Sequence, residues 1–207
     1  MPKPDAEAFT KSLFERFGFE AFFRKRTHEE LRGEKDELLK VFTSLSDSFN
    51  LTLRSREQCF TRIRIVMTTI PDNHRFHSYL LTILILLRAA APDIYRRYAI
   101  EGGNVREVMD YLRSESGGAL LDTPTFAYTM EAHLIAAKIC MFDDLEKVAE
   151  FKEYRNVIND TSKTQTEIGR AQYIVNLVER FSNSIHPYMT PLLNFTVNKI
   201  ELAAQFK

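Results

Sequence analysis

Residues 50–98 read NLTLRSREQCFTRIRIVMTTIPDNHRFHSYLLTILILLRAAAPDIYRRY, and their pattern decides the fold class. Thr52 can cap a helix, and Cys59, Phe60, Ile63, Val66, Met67 and Ile70 then recur at helical spacing along one face. Pro71 and Asp72 break that helix and start a second one, apolar almost throughout, that ends near Ala90. Pro92 opens a short third helix over 93–98, because proline is tolerated in a first turn. The most apolar run, 79–87, gains His77 and Arg88 when extended to 76–91. A membrane span needs about 20 apolar residues, so this run predicts a core helix instead.

The flanking sequence keeps the same period. Phe9, Leu13 and Phe17 step by four, with Asp5 as a candidate N-cap and Gly18 as a natural stop. A short apolar helix is expected at 19–23, ending in a charged stretch, 24–37, that contains Gly33 and reads as a loop and first candidate hinge. Leu38, Leu39, Phe42, Leu45 and Phe49 mark another helical stripe, interrupted by the polar run 46–50. Asn104 with Glu107, and Thr164 with Glu167, have the spacing of capping boxes. Further helices are expected at about 125–140, 143–157, 164–185 and 190–205, with His186-Pro187 ending the third of these. No segment shows sustained period-two alternation, so no significant sheet is expected. The reading is an all-α, irregular multi-helix bundle of about eight to ten helices. The glycine-containing stretch 113–124 divides it into a helical part over 1–115 and a C-terminal helical subdomain over 119–207 packed on it.

Composition bounds the function. A chain of 207 residues, 44% apolar and 27% charged, can bury a core without disulfides or metals. Sixteen Phe and eight Tyr, with no Trp, predict that phenylalanine dominates that core. Lys and Arg number 28 and so do Asp and Glu, which argues against wholesale gripping of nucleic acid through its phosphates. The balance is uneven locally. Eight arginines (54, 56, 62, 64, 75, 88, 96 and 97) face three acids, Glu57, Asp72 and Asp93, a local excess of five. Such a surface can meet phosphate groups, an acidic protein or an anionic membrane, or be a row of solvated arginines. Arg62 and Arg64 are the candidate partner surface. Cys59 and Cys140 each lie among apolar neighbours, which points to buried thiols in a reducing compartment rather than a disulfide. The start MPKPDAEAF has no signal-peptide pattern, so a cytoplasmic protein is expected.

The chemistry-bearing motifs are few. The phosphate loop G-x-x-x-x-G-K-[ST] is absent, and Gly102-Gly103 and Gly117-Gly118 read as turns, so the chain alone should not split a nucleoside triphosphate. Arg54 and Arg56 sit in the first turn of the Thr52 helix, where the helix dipole disfavours cations. With the free N–H groups there, they make a candidate site for an anionic cofactor. The alternative is that Glu57, Asp47 or a nearby carbonyl satisfies them. His74 and His77, with Asp72 nearby, lack further ligands to complete a zinc site, so no metal is expected. Arg180 and His186, in RFSNSIH, resemble the R-x4–6-H pair of HEPN ribonucleases, although Phe181 stands where that family favours a polar residue. An amphipathic helix with Ile174, Val178 and Ile185 explains the same stretch. No Ser-His-Asp set, H-E-x-x-H helix or C-x-x-C is present.

FTKSLFERFGFEAFF and the stretch from Leu38 to Tyr98 together resemble the C-terminal helical region of KAP-family P-loop NTPases. The matching residues are Leu51–Arg54, Glu57–Ile63, Pro71, Tyr79–Leu87 and Pro92–Tyr98, and the likeness covers about the first 115 residues. It implies ATP hydrolysis, with Mg²⁺, in an NTPase domain N-terminal to this region, joined in cis or supplied in trans, and none of it lies within these residues. It also implies coupling of the nucleotide state to a partner or to activity at the inner face of the membrane, including exclusion of phage in bacteria. In related P-loop ATPases an arginine of the helical lid contacts the γ-phosphate. The resemblance carries that role to Arg54, with Arg56 second. The alternatives are a stand-alone helical interaction module and the HEPN-like ribonuclease.

Overall fold

The computed structural model describes residues 6–75, 77–115, 124–140, 148–182 and 192–205. They form eleven α-helices and no strand, one helix more than the upper end of the expected range. In chain order these are α1 (Ala6–Arg16), α2 (Phe19–Arg24), α3 (Glu29–Ser48), α4 (Leu53–Thr68), α5 (Ser78–Ala90) and α6 (Pro92–Ala99). Then come α7 (Val105–Glu115), α8 (Pro124–Ile139), α9 (Ala149–Asn159), α10 (Gln165–Ser182) and α11 (Leu192–Ala204). The Asp5 cap, the start of the helix expected at 143 and the His186-Pro187 stop all lie outside the described residues, as does most of 113–124.

Helix α5 is the axis of the fold. Every residue from Ser78 to Leu87 is buried, because the helix is apolar all round and must be covered on every side. Helices α3, α4, α6, α8 and α11 pack on it. Helix α11, from the part expected as a C-terminal subdomain, lies against α4, α5 and α6, while α8 and α9 both pack on α10. Arg88 ties α5 to α11 with two hydrogen bonds to Glu201, at 2.8 and 3.1 Å. The buried Tyr98 hydroxyl donates to the Leu134 carbonyl at 2.8 Å and ties α6 to α8.

The phenylalanine core forms where the chain reverses between α1 and α2. Gly18 sits at φ +70°, a conformation that costs a side-chain-bearing residue energy, and so ends α1 where the spacing predicted. The reversal brings Phe14 edge-on to Phe19 and parallel to Phe23, with centroids 5.2 and 6.1 Å apart. Phe60 of α4 then meets Phe19 at 5.3 Å and Phe42 of α3 at 4.3 Å.

Two boundaries differ from the expected ones for one reason. The charged stretch 24–37 is no hinge, since α3 begins at Glu29 and carries Gly33 in regular helix. Its charges are partly core: Arg26 is fully buried and Glu34 is 5% exposed. Nor does a helix restart at Asp72, because α5 begins only at Ser78, after His77 in a left-handed conformation (φ 51°, ψ 50°). The same acids explain both. Glu34 accepts the His77 N–H at 2.7 Å and Glu37 accepts the Ser78 hydroxyl at 3.1 Å. Carboxylates of α3 therefore cap the positive end of α5, which its own sequence leaves uncapped.

Other local expectations hold in part, since the Asn104–Glu107 box does not close and Cys140 is only half-buried. The Thr52 hydroxyl accepts the Ser55 N–H at 3.1 Å. Thr164 and Glu167 form a reciprocal capping box, with bonds of 2.9 and 3.2 Å. Asn104 accepts the Arg106 N–H at 2.9 Å, whereas the Glu107 carboxylate turns to Arg97 at 2.6 Å. Both cysteines are free thiols, and burial pushes Cys59 up to about 12. No described helix is long and apolar enough to cross a membrane.

Candidate functional site

The first turn of α4 separates the two arginines that share it. Arg54 is exposed, in a turn without an acid, and has no hydrogen bond or ion pair among the described residues. Arg56 is 4% exposed. Its Nε donates to the Leu51 carbonyl at 3.0 Å, and one terminal nitrogen reaches the Ser46 carbonyl at 3.2 Å and Asp47 Oδ1 at 3.4 Å. Ser46 lies in the last turn of α3, whose C-terminal carbonyls attract a cation. Arg56 is thus a brace between α3 and α4, held by its own fold rather than by an external anion. Of the two candidate anion contacts, Arg54 is the one its own fold leaves unpaired among the described residues.

The brace makes a direct expectation. Arg56→Ala leaves the Ser46 and Leu51 carbonyls short of a charged donor, at a cost of about 2–3 kcal/mol. A urea midpoint lowered to match, with Arg56→Lys recovering part of it, is the expected result. An unchanged midpoint in the alanine variant shows that the brace carries no stability.

The basic excess of 54–97 is mostly neutralised from outside that window. Arg56 meets Asp47, Arg88 meets Glu201, Arg96 meets Glu101 at 3.2 Å and Arg97 meets Glu107. All four acids lie beyond the counted stretch. Arg62 and Arg64 do not form one surface, because residues two apart on a helix point about 200° apart. Arg62 is half-buried on the side of Glu201, whose carboxyl is held below its usual range by the Arg88 hydrogen bond first and by Arg62 last. Arg64 is exposed and faces α2 instead.

Arg180 is exposed near the end of α10, and His186 lies outside the described residues, so the HEPN-like pair has no described geometry. Beside Arg180 is a group that sequence reading missed. The His133 ring stacks on Tyr79 at 4.4 Å with 16° between planes. Its Nδ1 lies 2.7 Å from the Thr129 carbonyl, an acceptor, so Nδ1 carries the proton. Phe181 bridges His133, at 5.9 Å, and His77, at 5.1 Å. Burial pushes His133 down to about 4, against the Thr129 carbonyl and with help from the charge of Arg180. Burial likewise raises the Tyr79 phenol well above its usual value. The one sequence signal was a lone histidine in the apolar run MEAHLIAAK.

His74 and His77 diverge, with His74 paired to Asn73 at 2.8 Å and His77 buried against Phe181. Among the described residues no group of three or more His, Cys, Asp or Glu could hold a metal ion. Gly102 and Gly103 make a turn, with the Gly103 N–H donating to the Arg97 carbonyl at 2.7 Å. Lys138 caps the Gly102 and Gly103 carbonyls, at 3.0 and 2.5 Å. No family model, curated protein or solved structure matches the chain.

Proposed function

We propose that this chain works as the helical lid or effector region of a KAP-type P-loop ATPase. ATP and Mg²⁺ are held by an NTPase domain present in cis or in trans, and the helical body relays the nucleotide state to a partner or to the inner face of the membrane. The observation that carries this reading is Arg54. It stands exposed on a capped helix end that lacks an acid in its first turn. Unlike Arg56, it has no partner of its own fold among the described residues. The Arg56 brace fixes that turn to α3, so Arg54 projects from a rigid platform, as a γ-phosphate contact requires. From there α4 runs into the core through Phe60 and Met67 and packs on α5, a route for relaying movement.

The test is Arg54→Ala in the protein together with its ATPase domain. A guanidinium that meets charge developing on phosphate is worth roughly 10³–10⁵ in kcat. A loss on that scale is expected, with thermal unfolding unchanged because the side chain is exposed. Turnover and nucleotide affinity equal to wild type would remove the reading.

A further inference from the structure

We propose that the groove between α2 and the C-terminal half of α4 binds an amphiphilic monoanion, its apolar body on an aromatic floor and its head group between Lys25 and Arg64. The groove has a volume of about 380 Å³, within the range of small-molecule sites. Its floor is continuous with the core, since Phe19, Met67 and Ile70 are buried, and half-buried Phe17 and Phe22 form its walls. Phe17 and Phe22 are only half-buried, so they offer apolar surface that the fold itself does not cover.

The charge around this apolar surface is one-sided. Lys25 and Arg64 line the groove, both exposed and neither paired with a carboxylate among the described residues. One acid, Asp72, lines it as well, but its charge already serves Arg26, as does that of Glu34. Arg26 is fully buried behind the Phe22 wall, its guanidinium 4.4 Å from that ring centroid. One nitrogen donates to the Pro71 carbonyl at 2.6 Å, while Nε and the other terminal nitrogen make no hydrogen bond. Burial lowers its basicity, yet it remains a cation under the wall. With the charge of Arg26 offset by Asp72 and Glu34, Lys25 and Arg64 are the two cations left to set a positive potential in the hollow. Both free cations flank a single concavity rather than spread over a plane, which favours one molecule over a membrane surface.

The proposal does not rest on the ATPase reading. Its test is calorimetric titration of the full chain with monomeric dodecanoate, alongside dodecanol, dodecyltrimethylammonium and phosphatidylglycerol vesicles. One saturable dodecanoate site is expected. Lys25→Glu and Arg64→Glu should each weaken it at least about tenfold, the scale of a lost charge-assisted contact. Dodecanol should bind at least about tenfold more weakly than dodecanoate for the same reason. Ala21→Trp, an exposed groove residue on α2, should block binding with the circular-dichroism melt unchanged, and Arg54→Ala should leave binding unaltered. Equal binding by wild type and the charge-reversed variants overturns the proposal. So does equal affinity for all three surfactants, or binding to vesicles without binding to monomeric dodecanoate.

Discussion

Phe60→Ala should destabilise the fold by about 3–5 kcal/mol, the cost of emptying a fully buried aromatic site that cannot collapse. Phe60 has no exposure to solvent. Its ring meets Phe42 edge-on at 4.3 Å, Phe19 in a stack at 5.3 Å and Phe17 at 6.1 Å. Those partners belong to α3, α2 and the α1–α2 turn, so three separate elements would have to move inward to fill the void. Each is held elsewhere: α3 by α5, α2 by α3, and the turn by the Gly18 reversal. A domain of this size has roughly 5–15 kcal/mol in total, so the variant should sit near the edge of folding. Urea unfolding followed by circular dichroism gives the measurement. Phe60→Leu, which keeps most of the volume, should lose less than half as much. An alanine variant within about 1 kcal/mol of wild type would mean the ring is not the hub the packing describes.

The same residue shows why much of the fold was legible from the chain. Phe60, Ile63 and Met67 lie inward at the predicted spacing, and Thr52 and Gly18 bound their helices as the local rules require. These features depend on neighbours within a turn or two. Residues 24–37 failed because charge was taken as solvent exposure. Arg26 and Glu34 are buried by the Pro71 carbonyl and the His77 N–H, partners more than forty residues away. The arginine count of 54–97 was undone by pairing across the edges of that window, since Asp47 lies just before it, Glu101 and Glu107 just after it, and Glu201 far beyond it. In the candidate site, both positions of Arg54 and Arg56 were visible. Asp47 or a nearby carbonyl was also visible as a possible partner, but not that the end of α3 takes Arg56 alone and leaves Arg54 exposed. Arg64 was singled out, but Lys25, its counterpart across the groove, comes from the stretch misread as a loop.

Acid should loosen the molecule at the contact between α5 and the α8–α10 helices, through His133. The imidazole is surrounded by Tyr79 of α5, by Tyr173, Arg180 and Phe181 of α10 and by the Thr129 carbonyl of its own helix, with Glu37 of α3 beyond the tyrosines. No carboxylate touches it to welcome a proton. Its folded value of about 4 lies below the ordinary 6.5, so the unfolded chain takes up the proton first. The stability from burying neutral His133 is therefore full above pH 6.5 and is lost as pH falls from 6.5 toward 4. The slope approaches 1.36 kcal/mol per pH unit, a loss of about 2 kcal/mol by pH 5 and about 3 kcal/mol by pH 4. Glu201, with its carboxyl held low by Arg88, keeps its contribution above pH 4.5 and loses it only below, so it does not contribute to a difference between pH 7.5 and pH 5.0. Urea midpoints at those two values should differ for wild type and converge for His133→Phe, which keeps the ring stack on Tyr79 but cannot be protonated. Hydrogen exchange at pH 5.0 should speed up first in α8 and α10, because His133 and Phe181 are the side chains that fasten them over α5. If the midpoints of wild type and His133→Phe fall in parallel, the proton goes elsewhere and the buried histidine plays no part in the acid response.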